Sequence, residues 1–289
     1  MSTVTSPDRT DRAATGTAPR TPLGRLVRSE LGWVLRRPRT LVALGVLALL
    51  PLALGLGVAL AGGPQAGEGP PLLASVAGNG LVLPVASLSV AMTLLLPLVV
   101  SMAAADALAG EATHGTLRGL LLSPVSRVRL VSVKAAGVAV VVLLAVAAIA
   151  VVGVVTGWIV VGGDGLITLS GTVLSPGAAL GRVALAAGWV AVQMAAVAAL
   201  ALAVSAFTDH PLVVLAATMG GLIVSGLLAA IPALDWLHPV LPTEGWMAVA
   251  DVLRDPMPSD GLLTGLVRAG CYLLIGVSLA VVGTASREG

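Results

Sequence analysis

Six apolar runs, each close to the length of a bilayer crossing, dictate what this chain can fold into. They fall at roughly 41–61, 81–105, 135–161, 183–206, 212–231 and 262–284. A hydrocarbon core about 30 Å thick takes about 20 helical residues, so each run is a candidate span. The runs are built of Ala, Val, Leu and Gly, with one Phe and one Tyr in the whole chain. Small residues let helix backbones approach closely, which is how membrane helices pack where no hydrophobic force drives them together. Alternating strands with an aromatic girdle are absent, which disfavours a membrane β-barrel. With 10% charged residues and a mean hydropathy of +1.03, the chain is far from soluble composition.

The first run ends in Ala59-Leu60-Ala61, the small-x-small pattern of a signal-peptidase site. About 40 residues precede the run, and it is longer than the 7 to 15 residues of a signal core, so it is read as a retained span. The single cysteine, Cys271, excludes an internal disulfide.

Basic residues orient the spans. Thirteen of the sixteen Lys and Arg fall in the N-terminal segment, in the stretch between the second and third runs, or at the C-terminus; Arg182, Arg254 and Arg268 fall on the other side. By the positive-inside rule both termini and residues 106–134 are expected to be cytoplasmic, in a multi-pass protein of the cell (plasma) membrane.

Residues 1–21 are too polar to bury and are expected to form a disordered tail. Over 22–38 the apolar positions Leu23, Val27, Leu31, Val34 and Leu35 recur at helical spacing, with Arg25, Arg28 and Arg36 opposite and Arg37 at the end. An amphipathic helix lying along the inner membrane surface follows, either docking a partner or acting as a plain anchor on the lipid bilayer. Residues 39–285 form the six-span domain, and 286–289 a cytoplasmic tail.

Between the second and third runs stands "EATHGTLRGLLLSPVSRVRLVSVK". Glu111 to Leu122 is helix-compatible, with Leu117, Leu120 and Leu121 on one side and Arg118 opposite, and Pro124 interrupts it. A connector between spans needs only a handful of residues. This one carries more structure than that, which suits a protein partner as well as it suits an interfacial turn. On the opposite side, residues 232–261 are expected to hold a short helix from Glu244 to Arg254 capped by Thr243, either re-entering the membrane or resting on it.

Several functions are disfavoured. Ionisable residues occur in the runs only near their ends, at Arg182, Arg268 and Asp106, whereas ion-coupled carriers place them at mid-depth. No G-x-x-x-x-G-K-[ST] loop occurs to cradle a nucleotide phosphate. His114, His210 and His238 stand apart and no H-E-x-x-H pair occurs, so no metal site is expected. Met92, Met194 and Met219 are simplest as flexible core packing. A membrane enzyme would need catalytic residues in the spans, and none are found.

The stretch "DALAGEATHGTLRGLLLSPVSRVRLVSVKAAG" resembles the connection between the second and third spans of ABC-2 type transporter permeases. "ALAVSAFTDHPLVVLAATMGGLIV" and "LDWLHPVLPTEGWMAVADVLRDP" resemble that family's fourth and fifth spans and outer segment. The resemblance covers about residues 23–285 in architecture. It implies an all-α membrane protein of six transmembrane helices, like a type-II ABC exporter. Such a permease moves a hydrophobic or amphipathic small molecule or lipid outward, working as a homodimer or paired permease with two copies of a separate ATPase subunit. This chain would bind no cofactor, ATP and Mg²⁺ being held by the partner, and no nucleic acid is involved. The family's coupling helix maps onto Glu111, Gly115, Thr116, Leu117, Arg118, Leu120 and Leu121, and its connecting helix onto the segment with Arg25, Arg28, Arg36 and Arg37. The family's pathway lining maps onto the hydroxyls of Ser87, Ser89 and Thr93 in the second span and of Thr218 and Ser225 in the fifth. Hydroxyls in apolar helices also bond their own backbone, which is the plainer role. The alternatives are a permease-like subunit of an export-linked maturation system, such as metal-centre assembly, and a membrane protein outside the ABC class.

Overall fold

The computed structural model describes residues 36–61, 79–110, 127–162 and 165–286, together with residues 32, 72 and 75–77. Its helices are α1 (Pro38–Ala61), α2 (Leu83–Thr93), α3 (Leu95–Ala107), α4 (Arg127–Thr156), α5 (Pro176–Phe207), α6 (Pro211–Ala229) and α7 (Asp260–Ser286). Five of these are long and apolar enough to cross a bilayer, and α2 with α3 makes a sixth candidate, bent by 56° at the junction. The six apolar runs of the sequence thus reappear as the five long helices and the bent pair of an all-α bundle.

The bend in the second crossing has a covalent cause. Pro97 has no N–H to give the carbonyl of Thr93, and its ring presses on that carbonyl. The helix breaks at Leu94, whose φ of −146° and ψ of −51° lie outside the helical well. Pro51, inside α1, leaves that helix continuous.

Alternation gives the bundle two ends. At one, here the basic end, α1 and α4 begin, α3 and α7 finish, and Thr208 to His210 join α5 to α6. At the far end lie a two-stranded hairpin and a run of short turns. The hairpin pairs β1 (Leu166–Ile167) with β2 (Val173–Leu174) in antiparallel register, Leu166 opposite Leu174. Asn79, just before α2, brackets it: Nδ2 donates to the Ile167 carbonyl at 2.6 Å and Oδ1 accepts from the Ile167 N–H at 3.3 Å.

The expected helix over 244–254 takes another form. The segment is a 3₁₀ helix over Trp246–Leu253 that begins after Gly245, whose φ of +77° is left-handed and suits glycine. Thr243 does not cap it; its hydroxyl pairs with that of Ser225 on α6 at 2.7 Å. Val249, Val252 and Leu253 are buried beneath this segment, against α2, α5 and α7. We call the hairpin and residues 230–259 the cap.

The core runs through α2, α3, α4 and α5, where Leu83, Leu88, Met92, Leu96, Val100, Ile149 and Met194 are fully covered. α7 lies along α5 on a stripe of Gly265, Ala269, Gly276, Ala280 and Gly283. At Gly276 an added Cβ would fall 2.5 Å from the carbonyl carbon of Ala199, so backbone meets backbone there. Dispersion over such close contact is the main attraction available inside lipid.

Candidate functional site

Residues 111–126 and 1–31 lie outside the described residues. They include Glu111, Gly115, Thr116, Leu117, Arg118, Leu120 and Leu121 of the coupling segment, and Arg25 and Arg28. What the structure does place is the joint on which residue 111 hangs.

That joint is built around a carboxylate. Asp106, in the last turn of α3, accepts from Arg37 Nη1 at 3.2 Å and from Arg39 Nη1 at 3.3 Å. Arg37 precedes α1 by one residue and Arg39 stands in its first turn, so the pair fastens the start of the first crossing to the end of the second. Three residues on, the Ala109 N–H donates to Ser205 Oγ on α5 at 3.0 Å, and that hydroxyl lies 3.4 Å from the Ala105 carbonyl. The end of α3 is thereby tied to α1 and α5 directly before residue 111. Arg36 is exposed beside it.

Beneath the ion pair, Arg37, Thr40, Asp106 and Lys134 line a small cavity of about 30 Å³ walled by Val99, Met102, Val138 and Val141. That is room enough for a water molecule. Lys134, two turns into α4, is only 4% exposed. A cation drawn this far from water needs charged or polar company, and Lys134 is engaged.

The five pathway candidates do not converge on this cavity. Ser87 is fully buried on α2 and its hydroxyl meets no partner among the described residues. Ser89 is half-buried on the same helix. Thr93 is exposed and bonds the Val90 carbonyl; Thr218 is buried and bonds the Val214 carbonyl at 2.8 Å. Ser225 serves the cap through Thr243. Three of the five hydroxyls therefore have a structural partner.

Two residues matter more here than the sequence alone suggests. Asp106 reads there as one more charge at the end of a run, although it is an acidic side chain in a strongly basic neighbourhood. Gln193, midway along α5, is 4% exposed, and its amide nitrogen has no partner among the described residues. A single amide in an apolar run carries no charge and belongs to no motif, so Gln193 has no signal of its own in the sequence.

Among the described residues no group of three or more His, Cys, Asp or Glu is placed to hold a metal ion. Compared with known families, the chain matches the ABC-2 family transporter protein model over residues 25–244. A search of curated proteins finds no match.

Proposed function

Since this chain belongs to the ABC-2 transporter family and is the membrane permease of an ABC transporter, we propose that it carries a hydrophobic or amphipathic small molecule or lipid outward. Separate ATPase subunits, two copies, supply the power to a homodimer or paired permease. Both termini and the 106–134 connection face the cytoplasm, as the distribution of Lys and Arg favours.

The observation that carries the mechanism is the fastening of Asp106 to Arg37 and Arg39. Residues 111–122 lie between the ATPase and this joint. When the ATPases close on nucleotide, the segment moves, and α3 cannot follow without pulling on α1 and, through Ala109 and Ser205, on α5. A shift at this one segment thus reaches three crossings, and a bundle with discrete packings answers by changing which side its crevice opens to. The bend at Leu94 divides the second crossing so that α3 can tilt while α2 stays under the cap.

The test is co-expression with the cognate ATPase. Glu111→Lys should leave the spans folded and the complex weakened or uncoupled, since an exposed charge is worth only about 0 to 1 kcal/mol to the fold. Gly115→Pro should be harsher, because proline within a helix costs about 3 kcal/mol. If both variants assemble and stimulate ATP hydrolysis normally, the segment is only a connector. The chain purified alone in lipid should turn over no ATP above a mock preparation. With Cys271 replaced by serine, a cysteine introduced at position 116 or 208 should resist membrane-impermeant labelling from outside the cell; ready labelling would reverse the topology.

A further inference from the structure

At the far end, on the side of α7 turned away from α5, a groove of about 550 Å³ runs between the helix and the His238–Val240 turn of the cap. Its lining is mainly aliphatic: Val240, Leu263, Val267 and Ile275, with Val267 68% exposed. Arg268 stands in this lining. It lies two turns into α7 from Asp260, about 12 Å along the helix axis. Its Nε donates to the Pro239 carbonyl at 3.0 Å and its Nη1 to the Glu244 carbonyl. Among the described residues, Arg268 has no carboxylate within ion-pair distance. It is the only arginine or lysine on that side so placed, since Arg182 pairs with Asp255 and Arg254 with Asp251.

A guanidinium with five N–H donors is here given two neutral acceptors, beside an apolar trough and within the apolar length of α7. The carbonyls hold its position but leave its charge uncompensated. What completes it must bring a negative charge on a head and an apolar chain behind it. We propose that this groove binds an anionic phospholipid, its phosphate on Arg268 and one acyl chain along Val267, Cys271 and Ile275. The hydroxyl of Thr264, one turn above Arg268, lines the headgroup position. The inference does not rest on the transport reading, and no ATPase enters its test.

Cys271 makes the site readable, because it lines the groove, is exposed and is the chain's single cysteine. The experiment measures its rate of reaction with a small maleimide in the full-length chain, purified in a neutral detergent. Phosphatidylglycerol, phosphatidylcholine and inorganic phosphate are added in separate arms. Phosphatidylglycerol should slow labelling about fivefold at a concentration where phosphatidylcholine and phosphate have no effect, a ratio in the range of a single partly exposed ion pair. Arg268→Gln should abolish the difference between the two lipids, and Arg268→Lys should keep part of it. If Arg268→Gln fails to fold, Thr264→Trp, which narrows the groove without touching the arginine's bonds, should remove the slowing instead. Equal slowing by both lipids, slowing by phosphate alone, or no slowing at all would overturn the proposal. So would disulfide formation between Cys271 of two copies under mild oxidant, which would seat a second chain in the groove.

Discussion

The α5–α7 seam and the cap hold α7 to the rest of the bundle by opposite means. Along the seam, glycine and alanine bring two backbones into contact and no side-chain polar bond is needed until Trp189, whose indole N–H donates to the Leu262 carbonyl at 3.0 Å. In the cap, hardly any regular structure exists, and side chains from the helices reach up to bind its backbone. Arg182 Nη1 donates to the carbonyls of Val252 and Arg254, both at 3.2 Å, while its Nη2 meets Asp255 at 3.4 Å. Arg268 binds two more carbonyls, and the Tyr272 hydroxyl donates to the Val240 carbonyl. Inside a bilayer a helix satisfies its own backbone and needs only shape to pack; a non-helical segment must have its carbonyls satisfied from elsewhere. The seam is therefore sensitive to volume and the cap to the loss of donors.

The largest effect should come from volume in the seam. Gly276→Val puts two methyl groups where no Cβ fits, and neither backbone can withdraw without separating the helices. A loss of about 3 kcal/mol is expected, as for severe overpacking. Size exclusion of the detergent-solubilised variant after graded heating should show little monodisperse protein. A normal profile would mean that α7 can slide on α5, and that the seam is softer than the geometry implies.

Donor loss in the cap should come second. Arg182→Ala leaves two carbonyls and a carboxylate short of a partner, at a cost of about 2 kcal/mol. The damage should be local. Protease sites in 230–259 should open while the helices stay protected, and hydrogen exchange would separate the two regions. If seam and cap loosen together, they form one cooperative unit and the contrast drawn above fails. Asn79→Ala is milder, about 1 kcal/mol, since it removes one bracket from a short hairpin. Its exchange signature should stop at residues 165–174.

This contrast also explains what could be read from the chain beforehand. Helical crossings are legible because length and apolarity are properties of a run, and the six runs reappear as α1, the α2–α3 pair and α4 to α7. The match over 25–244 agrees with the family resemblance carried by residues 106–137 and 201–224. Pro97 marks the bend at Leu94, but a proline leaves the length and apolarity of the run over 81–105 unchanged, and Pro51 shows that not every proline bends its helix. The hairpin was signalled only by Ser170-Gly171 between two short β-branched stretches, too little to distinguish it from a loop. Thr243 is a good cap residue in isolation, and its hydroxyl instead found Ser225 across the fold, a contact that no local rule contains. The clamp escaped for the same reason: Arg37 and Asp106 are 69 residues apart, and a surface charge at a span end looks alike whether paired or not.

The clamp at the basic end stands between the two regimes, and the smallest predicted effect concerns it. Arg37 and Arg39 both reach Asp106, but the Arg39 side chain is 66% exposed and that of Arg37 29%. Water screens the first pair more than the second, so Arg39→Ala should change stability by no more than about 0.5 kcal/mol. Arg37→Ala should cost more, because Asp106 is then held only by the arginine that water already screens. A double-mutant cycle with Asp106→Asn, followed by thermal unfolding in detergent, separates the two couplings. The Arg37 term should exceed the Arg39 term. Equal terms would show that the exposed arginine shares the load, and the joint beneath residue 111 would then be a symmetric two-armed grip rather than a single tie with a loose outer strand.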